Sequence, residues 1–229
     1  MKLNKIAIAV GAAVMGLSSI ASAELSANIG ATSNYLWRGV TQTDDGPAVS
    51  GGIDYTHASG FYAGVWTSNV DFVDASGNQA ELDLYGGFSG ESGSLGYDLG
   101  LIYYAYPMAD KPDDKLDFTE IYGSLSFGPV TGGIAYTIDT EAGGDDDNWY
   151  FHANAGTDLQ QGWGIGGTVG YFDFDGCGSD CDYWHAQIDV TKSAGDFGDF
   201  TFTLSKNFGD DDTWDDDVIP VVSWAKSFE

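Results

Sequence analysis

Apolar side chains recur at every second position along most of this chain, a period that belongs to strands with two chemically different faces. In the clearest stretch Leu95, Tyr97, Leu99, Leu101 and Tyr103 point one way, while Gly96, Asp98, Gly100 and Tyr104 point the other. Leu82, Leu84, Gly86 and Phe88 alternate in the same way with Glu81, Asp83, Tyr85 and Ser89. Val130, Ile134, Tyr136 and Ile138 oppose Thr131, Gly133, Ala135, Thr137 and Asp139; Trp149 and Phe151 oppose Tyr150 and His152; Trp184, Ile188 and Val190 oppose His185, Gln187 and Asp189. One face is therefore apolar and the other consists of Gly, Thr, Ser, Asn and single acids. No stretch shows a helical period, and 33 Gly with 13 Tyr and 13 Phe suit many short strands joined by tight turns.

Such alternation has two solutions: a soluble sandwich whose apolar face is its core, or a membrane barrel whose apolar face meets lipid. The connections separate them. The pattern predicts about twelve strands, near 25–37, 47–57, 61–71, 80–90, 94–106, 117–127, 129–138, 148–158, 162–173, 182–191, 198–208 and 218–228, with the length a tilted strand needs to cross a bilayer. Every second connection is short, as at His57–Gly60, Gly90–Gly93, Gly128–Pro129 and Leu159–Gln161, with Lys192–Phe197 less tight. The alternate ones are longer and rich in Asp: Thr41–Gly46, Val73–Gln79, Pro107–Asp114, Thr140–Asp147, Asp175–Asp182 and Gly209–Asp217. A sandwich has no reason to sort its loops in this way. An all-β, transmembrane, antiparallel up-and-down β-barrel does, with short periplasmic turns and longer acidic extracellular loops. Val222, Trp224 and Phe228 alternate up to the end of the sequence, as in the closing strand of exported barrels, which makes the outer-membrane assembly machinery an expected partner.

Residues 1–23 read as a secretory leader: Lys2 and Lys5 precede an apolar stretch from Ile6 to Ile20, and Ala21-Ser22-Ala23 forms an A-x-A cleavage site. The expected mature domain is 24–229, exported to a bacterial outer membrane, where lipid and lipopolysaccharide surround it. Beyond the leader no apolar run approaches the 20 or so residues of a membrane helix. The formal net charge is -27, with Arg38, Lys111, Lys115, Lys192, Lys206 and Lys226 as the basic side chains outside the leader. A surface this acidic repels phosphate and excludes nucleic acid as a partner.

The stretch Ser33-Asn34-Tyr35-Leu36-Trp37-Arg38-Gly39-Val40-Thr41-Gln42-Thr43 is followed by Gly51-Gly52-Ile53-Asp54-Tyr55, then Gly60-Phe61-Tyr62-Ala63-Gly64-Val65-Trp66, and then Glu81-Leu82-Asp83-Leu84-Tyr85-Gly86-Gly87. Together these resemble the opening of the proteobacterial TorF-type porin family, also described as Gcw_chp, a family of unknown function. The resemblance is dense over the first third and collinear to the C-terminus. It implies an outer-membrane barrel acting as a channel, with no catalytic residues to carry over.

A barrel of about twelve strands lies between small barrels filled by their own side chains and open sixteen-stranded porins, so a narrow lumen is expected. Tyr85, Tyr104, Tyr122, Tyr150 and Phe172 share the inner face with glycines and would constrict it. Asp54, Glu81, Asp83, Asp98, Glu120, Asp139, Asp158 and Asp189 belong to the same face, with His152 and His185. Arg38, expected at the end of the first strand, is the basic group among them and suited to a structural ion pair. Such a lining favours passive passage of small polar or cationic solutes. The alternatives are a non-conducting structural or adhesive barrel, or a barrel-borne enzyme.

The runs Asp145-Asp146-Asp147 and Asp210-Asp211-Asp212 offer oxygen ligands for divalent cations in the loops but lack EF-hand spacing, and solvated loops with diffuse counterions are the favoured reading. Cys177 and Cys181, close in one loop of an exported protein, are expected to form a disulfide rather than a metal site with His185. Only His57, His152 and His185 are available as bases; no G-x-S-x-G or H-E-x-x-H occurs, and neither enzyme activity nor a cofactor is expected.

Overall fold

The computed structural model describes residues 23–72, 79–107, 116–141, 147–175, 181–209, 214 and 217–229. The strands are β1 (Glu24–Thr32), β2 (Leu36–Trp37), β3 (Val40–Thr41), β4 (Ala48–Thr56), β5 (Phe61–Asn69), β6 (Ala80–Ser92), β7 (Leu95–Ala105), β8 (Phe118–Phe127), β9 (Val130–Thr140), β10 (Trp149–Asp158), β11 (Trp163–Asp173), β12 (Tyr183–Ser193), β13 (Asp199–Asn207) and β14 (Val218–Phe228). All except β2 and β3 pair in chain order, each antiparallel to its neighbours. The sheet closes where β1 meets β14, from Ala27 opposite Phe228 to Thr32 opposite Ser223. Closure leaves no unpaired sheet edge, the condition for placing a β-structure in lipid.

The faces are distributed as the alternation requires of a membrane barrel. Leu84, Leu99, Leu101, Leu125, Val169, Ile188, Phe202 and Val222 are exposed on the outside, whereas Asp54, Ser68, Thr168, Thr191, Thr201 and Ser205 are buried inside. This inversion rules out the sandwich, whose apolar face would be covered. Lys192 lies over the Trp163 ring at 5.3 Å and Lys226 over the Phe228 ring at 5.1 Å, both at the end of the barrel that carries the chain termini. At the opposite end Lys206 lies 5.6 Å from the Phe208 ring. Ammonium groups and aromatic rings thus mark the two rims, where a side chain with an apolar body and a polar tip sits best.

The short connections all lie at the end holding the termini, and the long ones at the other. Two readings of the sequence are corrected. The first barrel strand stops at Thr32 and does not run to residue 37; the chain from Ser33 to Pro47 turns into the barrel, where β2 and β3 pair as a small hairpin. Asp139 does not face the lumen. A bulge pairs Thr119 with Asp139 and Glu120 with Thr137, so one extra residue turns Asp139 to the exposed outer side. Asp158 stands exposed at the rim. Residues 1–22, and with them almost the whole expected leader, lie outside the described residues, as do Asp145, Asp146, Cys177 and Asp210–Asp212.

The most tightly packed apolar material is inside the barrel at its loop end. Tyr150, Phe172 and Tyr183 form one buried cluster against Trp37, and Val70, Tyr104 and Tyr106 form another that packs against the same indole.

Candidate functional site: the hairpin across the lumen

The turn between β2 and β3 is Arg38-Gly39, both with positive φ, 51° and 84°. That is the pattern of a two-residue hairpin loop whose twist matches its strands. Gly39 has a second reason to be glycine: a Cβ there would lie 2.5 Å from Cβ of His185 on β12. The turn therefore presses against the lumen wall. Arg38 has no such freedom, and an L-residue in this region costs about 1–2 kcal/mol. Its side chain supplies the compensation.

The Arg38 guanidinium donates from Nη1 to Glu120 Oε1 at 2.8 Å and from Nη2 to Glu120 Oε2 at 2.6 Å. It stacks 4.2 Å from the Trp37 ring and 4.1 Å from the Tyr150 ring. Burial opposes its charge, but the Glu120 carboxylate more than offsets this and holds the guanidinium above its ordinary pKa, so it stays protonated. Glu120 is on β8 and Tyr150 on β10, far around the barrel from β1, so the hairpin crosses the lumen to reach them.

The hairpin is tied at its base as well. Tyr35 donates its hydroxyl to Glu81 Oε1 at 2.6 Å, and Tyr106, just after β7, donates to Glu81 Oε2 at 3.0 Å. Burial first, and then the Glu81 charge, push both phenols well above their usual range, which keeps them as donors. The buried Asn34 side chain accepts from Thr41 Oγ1 at 2.7 Å and donates to Asp45 Oδ1 at 2.7 Å. The Gln42 carbonyl accepts from the Asp71 amide at 2.8 Å, joining the hairpin to the loop after β5.

Toward the turn end the lumen carboxylates are also held by tyrosines. Tyr62 donates to Asp98 Oδ1 at 2.7 Å and meets the Tyr122 hydroxyl at 2.6 Å; Tyr85 donates to Asp54, which also accepts from Asn28 at 3.2 Å. The hydroxyl end of the Tyr122 ring occupies the space beside Gly100 of the neighbouring strand, where a Cβ would come 2.5 Å from it. On the far wall Asp189 accepts from Gln187 and from Thr203 Oγ1, the latter at 2.6 Å. Asp83 differs: it is buried, and its Oδ1 has no hydrogen-bond partner among the described residues.

Asp54, Glu81, Asp83, Asp98, Glu120, His152, His185 and Asp189 therefore sit on inward positions of their strands, and Arg38 joins them through the hairpin and not from the end of β1. His185 meets the Tyr150 hydroxyl through Nε2 at 2.8 Å, and the His152 ring stacks with the Tyr150 ring at 5.5 Å between centroids. His57 pairs with Ser59 at 2.7 Å in an exposed turn. No group of three His, Cys, Asp or Glu among the described residues is placed to hold a metal ion. What sequence reasoning missed is the hairpin itself and the tyrosines that engage the acids. The signal was present in Arg38-Gly39 between two β-prone pairs, but Tyr35 and Trp37 keep the parity of the first strand's apolar face and read as its continuation.

The family model described as a bacterial protein of unknown function (Gcw_chp) matches residues 18–216. The chain belongs to this family. No curated protein matches it. Among solved structures it is similar to the KdgM porin, at 7% identity and a TM-score of 0.56, covering 89% of this chain and 98% of that one. It is equally similar to the KdgM porin in complex with disordered oligogalacturonate, at 6% identity and a TM-score of 0.56, covering 90% and 98%. Identities this low establish a shared fold: this Gcw_chp chain is a twelve-stranded barrel of the outer-membrane porin type.

Proposed function

We propose that the protein is an outer-membrane channel for passive passage of small polar or cationic solutes through a narrow acidic lumen. The observation that carries this reading is the lining: Asp54, Glu81, Asp83, Asp98, Glu120 and Asp189 are inward, and Arg38, already paired, is the basic side chain facing them among the described residues. A ring of carboxylates in a confined path lowers the energy of cations and raises that of anions. The reading extends to export by the leader at 1–23 and to lipid, lipopolysaccharide and the assembly machinery as partners. It differs in solute from the KdgM complex, whose oligogalacturonate is an anion that this lining would repel.

The hairpin supports a second reading, since a chain segment crossing the lumen suits a closed structural barrel. Conductance of the purified protein in planar bilayers decides between them. Discrete channel steps with a cation-selective reversal potential are expected; a silent bilayer with folded, inserted protein would favour the closed barrel.

A further inference from the structure

On the loop side of the hairpin there is a cavity of about 310 Å³, within the range of small-molecule sites. Its walls come from the hairpin itself, through Trp37, and from the loop ends of the barrel, through Phe72, Phe118, Phe172, Phe174 and Trp214. In a chain with 35 acidic residues, no Asp, Glu, Lys, Arg or His is among the described residues that line it. Several polar groups of the wall are already engaged. The Gln42 amide donates to the carbonyls of Val40 and Thr41 at 3.1 and 3.2 Å, and Asn148 Oδ1 accepts from the Asp175 amide at 3.0 Å. Trp214 Nε1 donates to the Cys181 carbonyl at 3.1 Å, and the Tyr106 hydroxyl is committed to Glu81.

We infer that this cavity is a binding site for a small, uncharged aromatic molecule. A charged solute would surrender its hydration for walls whose described residues return no counter-charge. A sugar would exchange its hydrated hydroxyls for a wall that is mainly aromatic and would lose hydrogen bonds there. An aromatic ring instead meets rings already arranged edge to face and stacked: Trp37 is 6.0 Å from Phe118 and 5.8 Å from Phe172, and Phe174 stacks 5.9 Å from Trp214. Offset and edge-on contacts of this kind add to the gain from burying apolar area. Because Trp37 adjoins Arg38, an occupant would rest on the hairpin that crosses the lumen. The inference does not depend on the lumen conducting.

The test is calorimetric titration of the full mature protein, folded in detergent, with phenol near neutral pH, where it is uncharged. A single saturable site is expected. Phe174→Asp introduces a buried charge, and Leu116→Trp fills the space without removing a ring; each should weaken binding by about tenfold or more. Both positions lie outside the barrel strands, so a heat-modifiable band on gels checks that the variants fold. Benzoate, the same ring with a charge, should not bind, and neither should glucose. Non-saturable uptake that is the same in wild type and both variants would reduce the effect to partition into detergent and overturn the inference, as would benzoate or glucose binding as well as phenol.

Discussion

Arg38 and Glu120, separated by 82 residues in sequence, meet through two parallel hydrogen bonds inside the barrel and hold the Arg38-Gly39 turn against the wall opposite β1. This pair converts a loop that could have lain over the mouth into one that crosses the lumen. The Trp37 and Tyr150 rings lie against the guanidinium, so it is stacked as well as paired.

Glu120→Gln should free the hairpin. Leaving one member of a buried pair without its counter-charge costs about 3–5 kcal/mol, more than a short hairpin is expected to withstand. Arg38 is the one Arg of the chain. Cleavage by trypsin at the Arg38–Gly39 bond, read by fragment mass, should be slow in the wild type and fast in the variant, while the barrel keeps its heat-modifiable band. Equal resistance in both would mean that the aromatic stacking alone holds the turn.

Gly39→Ala should act on the same element by a different route. The added methyl meets the His185 side chain, and the backbone there, at φ 84°, already disfavours any Cβ. Amide exchange across residues 34–43 should accelerate, with exchange in the barrel strands unchanged. Uniform acceleration would show that hairpin and wall unfold together.

If the lumen carries ions, replacing Glu81, Asp83 and Asp98 by Gln or Asn should lower the cation-to-anion permeability ratio measured from reversal potentials. The effect should be largest at low salt, because the screening length falls from about 30 Å at 0.01 M to about 10 Å at 0.1 M. Replacing Asp210, Asp211 and Asp212 in the loop should do less. An unchanged reversal potential after the lumen substitutions would place these residues off the conducting path.

The mature protein should fractionate with the outer membrane and run as a faster band on gels before boiling, since a closed barrel has no edge from which to unravel. Recovery as a soluble periplasmic protein without detergent would contradict the membrane reading.

Mass mapping with and without reduction should find Cys177 linked to Cys181. Cys181→Ser is expected to change the melting temperature little, because closing so short a loop removes little entropy from the unfolded chain. Two free thiols on protein taken from the cell envelope would refute the link.

The barrel was legible in the sequence because period-two alternation is a local property, repeated in every strand, and a one-residue slip would expose the wrong face. Loop sorting added which end is which. The inward positions of Glu81, Asp83, Asp98, Glu120, His185 and Asp189 follow from the same arithmetic, whereas Asp139 escaped it because a bulge resets the count. What tertiary structure alone decided is the interior. Tyr35 and Trp37 keep the parity of Leu25, Ala27, Ile29 and Ala31, so parity alone does not separate a longer β1 from a strand that stops at Thr32 and a hairpin beyond it. The choice is made by partners distant in sequence: Glu120 and Tyr150 for Arg38, Glu81 for Tyr35, and His185 for the space at Gly39. Those contacts exist only once twelve strands have closed, because closure is what brings opposite walls within reach of one side chain.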